Sequence, residues 1–188
     1  HIQHQLAPSP SEEQHLANLR AGGPGRDVHV VASAMSWPSG VVSERELARL
    51  VTSAYDATGR VPASRWIIAD GGVRHDAAQY AVFLQTVQLF DCRLFAIAPA
   101  EAQWMDPQQR LLLEKGYAAL HADGYNRASL LAHDIGVMVG IQANDFGSMV
   151  MAKPATSLPV YAVSGFTFSV AAGRLSFVLG MQGPCYNT

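Results

Sequence analysis

Two thiols, seven imidazoles and fifteen carboxylates are the groups in these 188 residues that could serve nucleophilic, acid–base or metal chemistry. Cys92 and Cys185 have no cysteine or histidine partners at the spacing of a zinc site, and the closely spaced His1 and His4 fall in a Pro-, Gly- and Gln-rich stretch that reads as linker. No metal centre is expected. Two cysteines are too few for a disulfide framework and fit a reducing interior, with a single bridge as the alternative. The default setting is the cytosol. Gly22-Gly23-Pro24-Gly25 follows a helical pattern instead of a strand, so it reads as a flexible joint and not as a phosphate loop.

The polar run Met105-Asp106-Pro107-Gln108-Gln109-Arg110 stands just before three leucines. Asp106 is suited to cap a helix, Pro107 to the first helical position, and Gln109 to reach back to the cap. Leu111, Leu112, Leu113, Ala118, Ala119 and Leu120 leave no consistently polar side, so cover on more than one face is expected, with Asp123-Gly124 as the stop.

Other elements surround this helix. Residues 1–26 read as a linker holding one short helix capped by Ser11, and the domain proper as 27–188. Val28 to Ala34 reads as a strand ending at the turn Trp37-Pro38-Ser39-Gly40. Ser43-Glu44-Arg45-Glu46 is a capping box, and Leu47, Leu50, Val51 and Ala54 give the amphipathic helix behind it a face to lay on a sheet. Arg45 and Arg49 lie on its outer side, as a solvated face or a contact for an acidic partner. Asp56 to Leu84 is broken by Gly59, Pro62 and Gly71-Gly72 and reads as a long loop, either functional or packed by its own side chains, with Trp66 and Tyr80 as the candidates for that packing. Ile135 to Ile141 is apolar without alternation, as in a strand buried on both faces, and Asn144-Asp145 reads as a helix cap. Gly165 to Leu179 reads as one helix, apolar nearly all round, with Ala171, Ala172 and Gly173 allowing close packing.

Composition narrows the class. With 49% apolar and 15% charged residues the chain is globular, and a net charge of −2 with only Lys115 and Lys153 as lysines offers no basic block for nucleic acid. No apolar run reaches the roughly 20 residues of a membrane helix, because Arg174 interrupts the most apolar stretch. No charged-then-apolar leader is visible at His1, and the start without methionine and the abrupt end at Thr188 suggest a piece of a longer polypeptide or an interrupted chain.

Leu89-Phe90-Asp91, Phe95, Ile97, Pro99, Glu101-Ala102 and Met105 through Glu114, in that order, resemble the ketosynthase domains of polyketide and fatty-acid synthases. The likeness extends over Trp37-Pro38-Ser39-Gly40, Val61-Pro62-Ala63-Ser64-Arg65-Trp66, Ile135 to Asp145, and Ala171-Ala172-Gly173-Arg174-Leu175-Ser176-Phe177 with Gly180, Gly183 and Pro184. It departs before and at Ala81-Val82-Phe83-Leu84, where the family has a longer aspartate- and tyrosine-containing segment and then G-G-F-L, and at Phe166, where the family often has asparagine.

The resemblance implies a layered α-β-α-β-α thiolase-like α/β fold, of which this chain is the N-terminal half. It implies a β-ketoacyl synthase that holds an acyl group on cysteine and joins it to a decarboxylated malonyl unit, both delivered on the phosphopantetheine of an acyl carrier protein. A thiolate suits the first step, and oriented donors suit the developing enolate. In the family the cysteine and two histidines follow the segment ending here, so no residue of this chain inherits a catalytic role and the chain alone is expected to be inert and insoluble. Gly165, Phe166, Thr167, Cys185 and Tyr186 are the implied acyl-pocket or dimer-seam residues, with Cys185 a small buried packing residue. Implied partners are the second half of the domain, a second copy and the carrier protein. The rivals are a ketosynthase-like scaffold without a nucleophile, and a thiolase-type enzyme acting on coenzyme A thioesters.

Overall fold

Asp106 starts the central helix as expected: in the computed structural model its Oδ1 accepts from the Gln108 N–H at 2.8 Å and the helix runs from Pro107 to Ala122. The structure describes residues 28–65, 79–154 and 157–188. The expected linker, its Ser11 helix and its glycine-rich joint, Trp66 and Gly71-Gly72 lie outside the described residues. Two units divide the chain, His1–Val31 and Ala32–Thr188. In the first, Val28, His29, Val30 and Val31 are exposed and form no strand, against expectation. A strand needs a neighbour for its backbone groups, and among the described residues none pairs with this segment.

The second unit holds helices α1 (Glu44–Thr52), α2 (Pro99–Ala102), α3 (Pro107–Ala122), α4 (Arg127–Leu130), α5 (Asp145–Met151), α6 (Ala162–Phe166) and α7 (Phe168–Leu179). Its strands are β1 (Gly59–Arg60) and β2 (Tyr80–Ala81), an antiparallel pair, and β3 (Val137–Val139) and β4 (Cys185–Asn187), a parallel pair in the register Val137 to Cys185 and Val139 to Asn187. The β1–β2 pair gives the expected long loop a minimal sheet, with Tyr80 exposed and not packing it.

Helix α1 forms behind its box: Ser43 accepts from the Glu46 N–H, and the Glu46 carboxylate accepts from Val42 N–H at 3.1 Å. None of its residues is fully buried: on the apolar face Leu47 and Leu50 are half-buried and Val51 and Ala54 exposed, so the expected docking is only partial among the described residues. The Val42 N–H, first among several hydrogen bonds, holds the Glu46 carboxyl below its ordinary value. Asn144 caps α5 as expected, accepting from Gly147 N–H at 3.0 Å.

The core gathers Phe95, Met105, Leu113, Leu130 and Leu179, all nearly free of solvent. Phe90 stacks on Phe95 at 5.2 Å between ring centroids and Tyr117 of α3 meets Phe95 edge-on at 6.3 Å, which seats the Leu89-Phe90-Asp91 turn on the helix. Asp91 Oδ1 tightens that turn by accepting from the Arg93 and Leu94 N–H groups. On α3 only Gln109 and Leu113 are fully buried, with Leu111 and Leu112 half-covered.

Helix α7 packs against α3 and against both strands of the parallel pair. Ala171, Ala172, Leu175, Ser176 and Leu179 form its buried face, whereas Phe177 is 86% exposed, so it is amphipathic in place and not buried all round. Strand β3 shows the same one-sidedness: Val137 and Val139 are buried and Met138 is 81% exposed, against the expected burial on both faces. Helix α7 covers one face of the pair, and among the described residues nothing covers the other.

Candidate functional site at the end of the parallel pair

The expected single helix from Gly165 to Leu179 is broken at Thr167, whose extended backbone (φ −75°, ψ 122°) ends α6 and starts α7. The cause lies in the Asp106 motif. Asp106 N–H donates to Gly165 O at 2.8 Å, and a Cβ on Gly165 would overlap the Trp104 carbonyl, so only glycine allows this approach. Gln109 Nε2 donates to Ser164 O at 3.2 Å and to Thr167 O at 3.3 Å, holding the corner from both sides of the break. Thr167 Oγ1 donates to Val163 O at 2.6 Å. The expected return of Gln109 to its own cap is therefore replaced by Gln108, whose Nε2 donates to Asp106 Oδ2 at 3.3 Å, because Gly165 already occupies the Asp106 N–H. Gly165 is buried, and Phe166 and Thr167 are half-buried.

Cys185 and Tyr186, the other two implied site residues, lie on β4. Cys185 is a free, exposed thiol and not the buried packing residue expected, because β4 has only β3 beside it among the described residues. Tyr186 is 57% exposed and stands opposite Met138 on the bare face. The five residues thus form two groups, a corner between helices and a strand, and the link between them was not read from sequence. It is Asn187: its Nδ2 donates to Ser169 O at 3.1 Å and its Oδ1 accepts from Ala172 N–H at 3.2 Å, both in the first turns of α7. An asparagine in a strand was the available signal, since that residue is depleted from strands.

Beside α7 lies a cavity of about 590 Å³ lined by Phe95, Ile97, Arg127, Val170, Arg174 and Phe177, and by none of the five implied residues. Arg174 pairs with Glu101 across it, its side chain 9% exposed, and Arg127 donates to Leu94 O at 2.6 Å and Val178 O at 2.8 Å, fastening α4 to α7. On α3, burial pushes the Glu114 carboxyl up against the pull of Lys115 and Arg110, and lowers Arg110 against the pull of Asp106 and Glu114.

A profile of the β-ketoacyl synthase N-terminal domain matches residues 25–188. Polyketide synthase GfsA of Streptomyces halstedii is 39% identical over 157 residues, covering 84% of this chain and 2% of its own length. Mycoketide-CoA synthase of Mycobacterium tuberculosis is 35% identical over 164 residues, covering 84% of this chain and 4% of its own length. Among solved structures, the ketosynthase from module 6 of the bacillaene synthase of Bacillus subtilis 168 superposes with a TM-score of 0.65 at 29% identity, over 83% of this chain and 25% of that one. The oxazolomycin ketosynthase domain OzmH KS7 of Streptomyces albus gives 0.67 at 25% identity, over 85% and 29%. The chain thus spans a small fraction of the synthases it matches and about a quarter of the solved ketosynthases. The helix motif, the one-sided sheet and the α6–α7 corner all fall within the matched residues, and this chain belongs to the β-ketoacyl synthase N-terminal domain family.

Proposed function

We propose that residues 27–188 are the N-terminal half of the condensing domain of a polyketide synthase, with 1–26 a linker before it. The complete domain takes an acyl group from a carrier-bound phosphopantetheine thioester onto a cysteine beyond Thr188. Attack on that acyl carbonyl by the carbanion left when a malonyl-type unit loses carbon dioxide breaks the bond to the cysteine sulfur, which leaves as thiolate, and gives a β-ketoacyl thioester on the carrier. The family match across 25–188, with synthases as the relatives, carries this reading. The uncovered face of the parallel pair supports it, since a layered fold places further elements there. In this reading Gly165, Phe166 and Thr167 wall the acyl pocket, and Cys185 and Tyr186 lie toward the seam with a second copy.

The complete domain is tested by loading it with an acyl carrier thioester, adding a malonyl carrier thioester and following carbon dioxide with product. Acyl label on one cysteine and product equal to carbon dioxide released is the expected outcome. Absence of loading would return the scaffold alternative, and condensation without carbon dioxide release the thiolase-type one.

A further inference from the structure

We infer that Asn187 is a positioning residue, fixing the end of β4 against α7 so that the chain beyond Thr188 enters the nucleophile turn on a set course. The inference rests on the condensing-domain reading above. Its basis is that both ends of one side-chain amide are used: Nδ2 on the Ser169 carbonyl and Oδ1 on the Ala172 N–H. That orientation alone satisfies both partners, which assigns the amide. Beside it the ladder holds the main chain, with Thr188 N–H donating to Val139 O at 2.9 Å and Ile141 N–H donating to Thr188 O at 3.1 Å. The strand end is therefore fixed sideways by β3 and perpendicular to the sheet by α7.

The first turn of α7 is in turn held by Gln109, through Thr167 O, to the start of α3. One polar relay thus runs from α3 through α7 to Asn187. Asparagine is a poor strand former, and a residue that breaks the local rule while satisfying two backbone groups marks a position chosen for geometry. Aspartate keeps the acceptor and loses the donor; leucine keeps the shape and loses both.

The complete condensing domain is compared as parent, Asn187→Asp and Asn187→Leu, by single-turnover acyl loading from a carrier thioester and by thermal unfolding. Expected is a fall in the loading rate of roughly tenfold for Asp and up to about a hundredfold for Leu, with half-saturation by the donor nearly unchanged, as misplacement of a reacting group predicts. Rates equal to the parent in both variants overturn the inference. So does a deficit that vanishes when each variant is assayed equally far below its own melting temperature, which would make Asn187 a stabilising contact only. Should Asn187→Leu not fold, Asn187→Asp decides by the same two criteria. A parent that fails to load overturns the condensing reading before any variant is compared, and the inference with it.

Discussion

Gly165 and Gln109 show how much can hang on single side chains. The Trp104 carbonyl occupies the space a methyl group would need, so Gly165→Ala forces backbone apart and should cost about 3 kcal/mol, the upper end for overpacking, in urea unfolding. Gln109→Ala removes a donor from Ser164 O and Thr167 O, which keep their hydrogen bonds from Arg174 at 3.4 Å and from Val170 N–H at 3.1 Å, and should cost about 1–2 kcal/mol. Glu114 sets a pH dependence. Its folded-state carboxyl titrates above the ordinary 4.5, so the stability it contributes is full below that value and is lost as pH rises through the raised one. Glu114→Gln should therefore gain on the parent as pH climbs above 4.5, in denaturant midpoints taken across that window. The Asp106 cap was legible because its partners are two residues on; the Gln109 bonds were not, because the acceptors lie 55 and 58 residues away.

At the scale of elements, period identified α1, caps identified α3 and α5, and an unbroken apolar run identified β3; local reading failed where a distant contact interrupts a local pattern. The run Gly165 to Leu179 is helical by every local signal, and its break at Thr167 comes from α3. Helix α1 had the right period and cap, but burial depends on a neighbour that its own residues do not encode. The tie between α2 and α7 offers a direct test. Breaking the half-buried Arg174–Glu101 pair with Arg174→Met leaves a carboxylate without its partner and should cost about 3 kcal/mol, the low end for buried pairs because Glu101 is 23% exposed. Adding Glu101→Leu should recover most of that loss. A double-mutant cycle reads the coupling, and additive losses would show the pair to be energetically idle.

For the whole molecule, the uncovered side of the β3–β4 pair governs behaviour. Met138, Tyr186 and the other exposed apolar side chains of this unit, Met149, Val160 and Val163 among them, leave a segment that should bind a hydrophobic dye and aggregate when made alone. Met138→Lys with Tyr186→Lys should lower that dye signal severalfold, read by fluorescence, without disturbing the face that α7 covers. The layered class was legible from motif order, whereas which face each strand turns to solvent was not, since an apolar run without alternation reads as buried on both sides.

The fit of Gly165 under the Trp104 carbonyl also bears on building hybrid domains of this family. Two stretches of chain some sixty residues apart have been shaped to each other, one losing its side chain to admit the other's backbone, while Asp106 lends the N–H that fastens them. A crossover placed between them would join two backbones not fitted to each other. Splice points outside that interval would carry both surfaces across as one inherited cassette.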